Sequence, residues 1–160
     1  MGEIFKNIKK IEYEGKDSKN PFSFKHYNKD EIVMGKPMKE QLKFALSYWH
    51  TLCGDGVDMF GDATMDKSFG GKTPLEIYKN RALAAFEIMD KLSIDYFCFH
   101  DKDIAPEGKD INETEKYLDE MSFFIEKLMQ KHNKKLLWGT ANLFSHPRYV
   151  NGAATSNLAD

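Results

Sequence analysis

The chain has 160 residues, of which 41% are apolar and 30% charged, with a formal net charge of -2, which suits one ordinary soluble domain. That balance supplies no basic stripe for nucleic acid and no apolar run long enough for a membrane span, and the start MGEIFKNIKK lacks the apolar centre of a signal peptide. A cytoplasmic protein with neither nucleic-acid nor membrane partners is therefore expected, and Cys53 and Cys98, which fit no metal or redox spacing, agree with a reducing compartment.

In chain order, residues 1–37 alternate charge with isolated aromatics and read as an amino-terminal arm. Phe5, Ile8, Ile11, Tyr13 and the patch Pro21 to Tyr27 could pin it, and since it cannot form a core alone it must lie against something larger. His26 has no companion at metal spacing and reads as a surface or packing histidine. Residues 38–160 form the body. Met38 to Phe44 is open between a short helix and a strand lead-in, and LKFALSYW from Leu42 reads as the first strand, ending at Trp49 and His50.

His50 to Asp62 holds three glycines and three aspartates and reads as a loop. GDGVDMFG matches neither G-x-G-x-x-G opening a helix nor the phosphate loop ending in Gly-Lys-Ser/Thr, and its aspartates would repel phosphate. Asp55, Asp58 and Asp62 are oxygen ligands in type, but their order does not fit the twelve-residue calcium loop. The plain reading is a solvated loop, which leaves Phe60 unexplained unless that ring inserts into a pocket.

Thr73, Pro74 and Glu76 form a capping box with proline at the first helical position, followed by Leu75, Tyr78, Ala82, Phe86, Met89 and Leu92 at helical spacing. Tyr96-Phe97-Cys98-Phe99 then reads as a strand covered on both faces, with Cys98 in the core, running straight into His100, Asp101, Lys102 and Asp103. Two readings of that end stand side by side. In one, Asp103 accepts from one ring nitrogen of His100 and leaves the other to act as a base; in the other, Asp103 caps local backbone and His100 merely closes the strand. Asn112 with Glu115 three residues on signals a second helix, carried by Leu118, Met121, Ile125, Leu128 and Met129 to His132-Asn133, where His132 is a last-turn residue.

Leu136 to Asn142 is the third strand and its exit. The order β, loop, α, β, loop, α, β predicts three parallel strands that bring Trp49, His100 and Trp138 to one edge. Two indoles and an imidazole there suit a small polyol or sugar, although each tryptophan also has a plain reading as core. Past Pro147, Asn151-Gly152 marks a turn, and Asn157 with Asp160 looks like the start of a further helix. The pattern suggests a truncated chain or a fragment of a larger α/β domain; a complete eight-unit barrel takes roughly 250 residues, of which this could be the first three units.

The motifs SYWHTLCGDGVDMFGDAT, CFHDKDIAPEG and LLWGTANLFSHPRYVNGAATSN resemble the amino-terminal part of the xylose isomerase family, in its longer form with an amino-terminal arm. The resemblance covers all 160 residues. It implies a TIM (β/α)₈ barrel of which this chain supplies roughly the first three units, and a cytoplasmic homotetramer when full length. The implied activity interconverts D-xylose and D-xylulose, and D-glucose and D-fructose, by ring opening and a hydride shift assisted by two divalent cations (Mg²⁺, Mn²⁺ or Co²⁺). The family position of His100 assists ring opening and that of Asp103 holds the imidazole. Trp49 and Trp138 line the sugar site, Thr140 sits near it, and Phe60 reaches into a neighbouring subunit's pocket. The family's metal ligands fall on later strands, beyond residue 160, so no metal-binding residue is expected in this chain. A related sugar epimerase barrel and an inactive barrel fragment are the alternatives.

Overall fold

The computed structural model describes residues 2–144 and residue 149. The expected turn at Asn151-Gly152 and helix start at Asn157 lie outside them. In order come a short antiparallel hairpin, β1 (Ile32–Val33) and β2 (Lys36–Pro37), then α1 (Met38–Gln41), β3 (Ala45–Ser47), a π-helical turn (Trp49–Cys53), α2 (Pro74–Leu92), β4 (Tyr96–His100), α3 (Asp101–Ile104), α4 (Ile111–His132) and β5 (Lys135–Thr140). No helix among the described residues is long and apolar enough to cross a membrane.

The body is an open parallel sheet of order β3-β4-β5 with alternating β and α elements, as the strand pattern predicts. Register is Ser47 to Cys98 on one side of β4, and Cys98 to Trp138 and His100 to Thr140 on the other. A bulge between Phe97 and Cys98 inserts Leu137 as an extra residue on β5. Because side chains alternate along a strand, Leu46, Phe97 and Phe99 share one face, while Cys98, His100, Trp138 and Thr140 share the other. The first face carries the core. Phe97 packs edge-on to Phe86 of α2 at 5.4 Å, with Ala82, Ala85 and Met89 of α2 and Met121, Ile125 and Leu128 of α4 in the same cluster. Fully burying Phe86, Phe97, Met89 or Met121 contributes about 1.5–3 kcal/mol each.

Helix α2 begins as its capping box predicts. Thr73 Oγ1 accepts from Glu76 N–H at 3.3 Å, and Glu76 Oε2 accepts from Thr73 N–H at 3.2 Å. Three boundaries differ from the sequence expectation. The first strand is only Ala45–Ser47, because Leu42 closes α1 by donating its N–H to Met38 O at 2.8 Å and Tyr48 is already helical (φ -63, ψ -47). Trp49 therefore opens a helical turn instead of ending a strand. The cap of α4 is Asp110, not Asn112: its carboxylate accepts from Glu113 N–H at 2.9 Å, while Glu113 accepts from Lys109 N–H at 2.7 Å. The expected loop after His100 starts with the single turn of α3.

The amino-terminal segment lies along α2. Glu87 accepts the Ile4 and Phe5 N–H groups at 2.6 and 2.8 Å, and Lys91 bonds Glu3 and the Ile8 carbonyl. Phe5 meets Phe69 edge-on at 6.4 Å, and Tyr27 meets Phe44 at 5.3 Å. His26 is exposed. The hairpin turns at Met34-Gly35, both with positive φ (+51 and +80), the backbone that a two-residue turn between twisted strands requires.

Helix ends are tied by charge as well. Asp90 of α2 meets His132 Nδ1 at 2.5 Å and Lys134 Nζ at 3.1 Å, which gives His132 a structural task. Burial alone would raise the Asp90 carboxyl pKa, but these two partners outweigh it and hold the group below its ordinary 3.8. A depressed carboxyl contributes stability above the unfolded value and loses it as pH falls through the folded one. Asp90→Asn should therefore lower stability near neutrality and narrow its gap from the parent protein on acidification below about pH 4, read by denaturant melts across pH. Glu87→Ala should cost about 1–3 kcal/mol and speed amide exchange at Ile4 and Phe5, because two charge-assisted bonds to the arm are lost; unchanged protection there would mean that the arm is held by its apolar contacts alone.

Candidate functional site

The carboxyl ends of the three strands converge on His100. It is the last residue of β4, and Asp103, one turn into α3, reaches back to it: Asp103 Oδ2 accepts His100 N–H at 2.7 Å and lies 3.0 Å from Nδ1. An oxygen that already accepts a backbone N–H presents lone pairs, so Nδ1 carries the proton toward it and Nε2 is the free ring nitrogen. Asp103 is only 6% exposed. The turn beneath it is pinned from two sides. Tyr78 OH donates to Lys102 O at 3.2 Å, and the Cys53 thiol donates to Asp103 O at 3.6 Å. Burial pushes the Cys53 thiol up to about 11, keeping it a neutral donor.

Aromatic rings enclose the imidazole. Trp49 lies 4.7 Å from His100 between centroids and 5.8 Å from Trp138, and Trp138 stands edge-on to His100 at 5.7 Å. The structure thus brings Trp49, His100 and Trp138 together, with Asp103 behind the histidine. Thr140 sits directly beside His100 in the ladder. Phe144, not anticipated from the sequence, adds a further ring at 5.9 Å from His100, edge-on at 73°. The argument that singled out Phe60, one aromatic ring on a polar loop, could have been applied to Phe144 just past a strand end.

Phe60 itself makes no ring contact with this cluster among the described residues. It is 89% exposed at the tip of a loop that Asp55 closes, its carbonyl accepting from Thr64 and Met65 N–H at 2.9 Å each. Asp55 and Asp58 spend carboxylate oxygens on the N–H groups of Val57 and Phe60, as turn-forming aspartates do.

Among the described residues no group of three or more His, Cys, Asp or Glu side chains converges to hold a metal ion. The donor set does not fit the pair of divalent cations implied by the family resemblance. A cavity of about 820 Å³ lies at the opposite end of the sheet, between the arm and the first residues of β3 and β4, lined by Tyr13, Phe24, Tyr27, Phe44 and Tyr96. It is apart from the imidazole and shares none of its residues.

No protein-family model matches the chain. It is 54% identical over 156 residues to the xylose isomerase of Listeria welshimeri, 51% over 158 residues to that of Tetragenococcus halophilus, and 52% over 161 residues to that of Thermotoga neapolitana. These alignments take in 98%, 99% and 100% of the chain, but the chain spans only about 36% of the length of each relative.

Gly139, between Trp138 and Thr140, explains how β5 sits so close. A Cβ there would meet the Phe99 ring at 2.9 Å, on the face opposite Trp138. Gly139→Ala should cost about 1–3 kcal/mol by overpacking and shift Trp138 relative to His100, visible in tryptophan fluorescence. Phe99→Leu in the same chain should relieve much of it; an unchanged melting point in the single variant would show that the ring moves freely.

Proposed function

We propose that the chain is the amino-terminal portion of a xylose isomerase, an aldose–ketose isomerase acting on D-xylose and D-glucose, and that it carries the part of the sugar site that grips the ring and opens it. The single observation that carries this reading is the His100–Asp103 pair set within Trp49, Trp138 and Phe144, in a chain half identical to xylose isomerases. The indoles offer apolar faces to the C–H surface of a pyranose, and the imidazole offers a proton acceptor beside them. With Nδ1–H turned to Asp103, Nε2 can take the anomeric hydroxyl proton and return it to the ring oxygen as the C1–O5 bond breaks, giving the open-chain aldehyde. Asp103 keeps the ring in that tautomer and orientation.

Two divalent cations would supply polarisation of the open sugar's oxygens for the hydride shift, through ligands in the remaining length of the enzyme. The chain spans only about 36% of its relatives' length and its described residues contain no such ligand set; by itself it should show no Mg²⁺- or Mn²⁺-dependent xylose conversion. The complete enzyme would be a cytoplasmic homotetramer whose exposed Phe60 completes a neighbour's sugar pocket.

The test is a chimera in which this chain replaces the matching part of the Thermotoga neapolitana enzyme. A cooperatively folded chimera should isomerise xylose with Mg²⁺. His100→Asn should cut turnover on α-pyranose by about 10²-fold to 10⁴-fold, with the defect largely relieved by substrate enriched in the open-chain form. A folded but inactive chimera would overturn the reading, and equal losses on cyclic and open-chain sugar would remove His100 from ring opening.

A further inference from the structure

We propose that Asp101 is a positioning residue for the sugar site: it clamps the chain leaving β5 so that Phe144 stands against His100. This rests on the sugar-site reading above and assigns the one acidic residue of the strand end that the His100–Asp103 pair does not use.

Asp101 immediately follows His100, yet its carboxylate turns to the neighbouring strand. Oδ1 accepts Lys102 N–H at 2.8 Å and Asn142 N–H at 2.8 Å, joining residues 41 apart in sequence. The β4-β5 ladder ends at His100 and Thr140, so this bond is the first tie beyond the ladder. Asn142 passes the constraint on, its Oδ1 accepting Phe144 N–H at 3.3 Å. Phe144 is 78% exposed, and its ring contact with the site among the described residues is edge-on to His100. Packing supplies little to fix such a ring, whereas a half-buried charged acceptor holding a backbone N–H fixes the segment that carries it. Asp101 therefore governs the width of the aromatic wall without touching the reacting atoms.

Two measurements on the chimera test this. In kinetics, Asp101→Ala should raise KM for xylose about tenfold with kcat within about threefold, while Asp101→Asn, which keeps an oxygen acceptor, should stay within about threefold of the parent. In a Phe144→Ala background, Asp101→Ala should add less than about twofold, since the residue it positions is gone. Additive losses, or a fall in kcat that Asp101→Asn does not rescue, would overturn the proposal. Amide exchange decides independently of activity: Asp101→Ala should speed exchange at Asn142 and Phe144 about tenfold and leave Phe97 and Cys98 unchanged. Unaltered protection at Asn142 would overturn it even in a chimera without isomerase activity, an outcome that would count separately against the sugar-site reading.

Discussion

A buried carboxylate needs partners, and Asp103 finds both of its own in one residue. Its Oδ2 takes the His100 backbone N–H and faces the ring nitrogen of the same histidine, so the desolvation of one acidic group is offset by fixing the end of β4 and the orientation of the imidazole together. The strand cannot continue past His100 without breaking that bond. Nor can the ring rotate without leaving the carboxylate with one partner. The termination of the central strand and the chemistry placed at its end are thus a single constraint, and Tyr78 and Cys53 secure it from below through the carbonyls of Lys102 and Asp103.

Around that fixed point, the indoles arrive by different routes. Trp138 comes on a strand, and the bulge opposite Phe97 and Cys98 sets its face. In an unbroken register Leu137 would pair with Cys98 and share the imidazole's side, while Trp138 would turn to the helices. Trp49 comes on a π-helical turn closed by Gly54 N–H on Trp49 O at 2.8 Å, a wide turn whose first residue sets its indole against His100 and Trp138. Gly139 completes the arrangement by leaving room for Phe99, so that β5 lies close to β4 where the two aromatic groups meet.

These origins account for what could be read in the sequence. The Thr73-Pro74-Glu76 cap and the YFCFH strand are local and readable from neighbouring residues; the Asp103–His100 pairing is local too, but the sequence left it open beside a plain backbone cap, and the structure has Asp103 doing both. The convergence of Trp49, His100 and Trp138 was legible too, because parallel strands joined by helices present like ends at one edge. What escaped was set by competition or by distance. Asp110 outranks Asn112 as cap because Glu113, three residues on, completes the exchange with the preceding backbone. The first strand is shorter than its apolar run since Leu42 is spent on closing α1. Phe144 joins the site through a bond between Asp101 and Asn142, a relation that only the assembled sheet reveals.

The two faces of the sheet then divide the labour. Leu46 and Phe97 are sealed by α2 and α4, which makes the strand positions stiff. The opposite face bears Trp138, 39% exposed, beside Thr140 and His100, with the Trp49 indole against both rings. Rigidity on one side is what permits an open, partly apolar surface on the other, because the exposed rings cannot gain burial by collapsing onto a sheet whose spacing is already fixed. Under the proposed reading, a pyranose would lay its C–H face on the indoles and turn hydroxyls toward Nε2 of His100, the nitrogen that Asp103 leaves available.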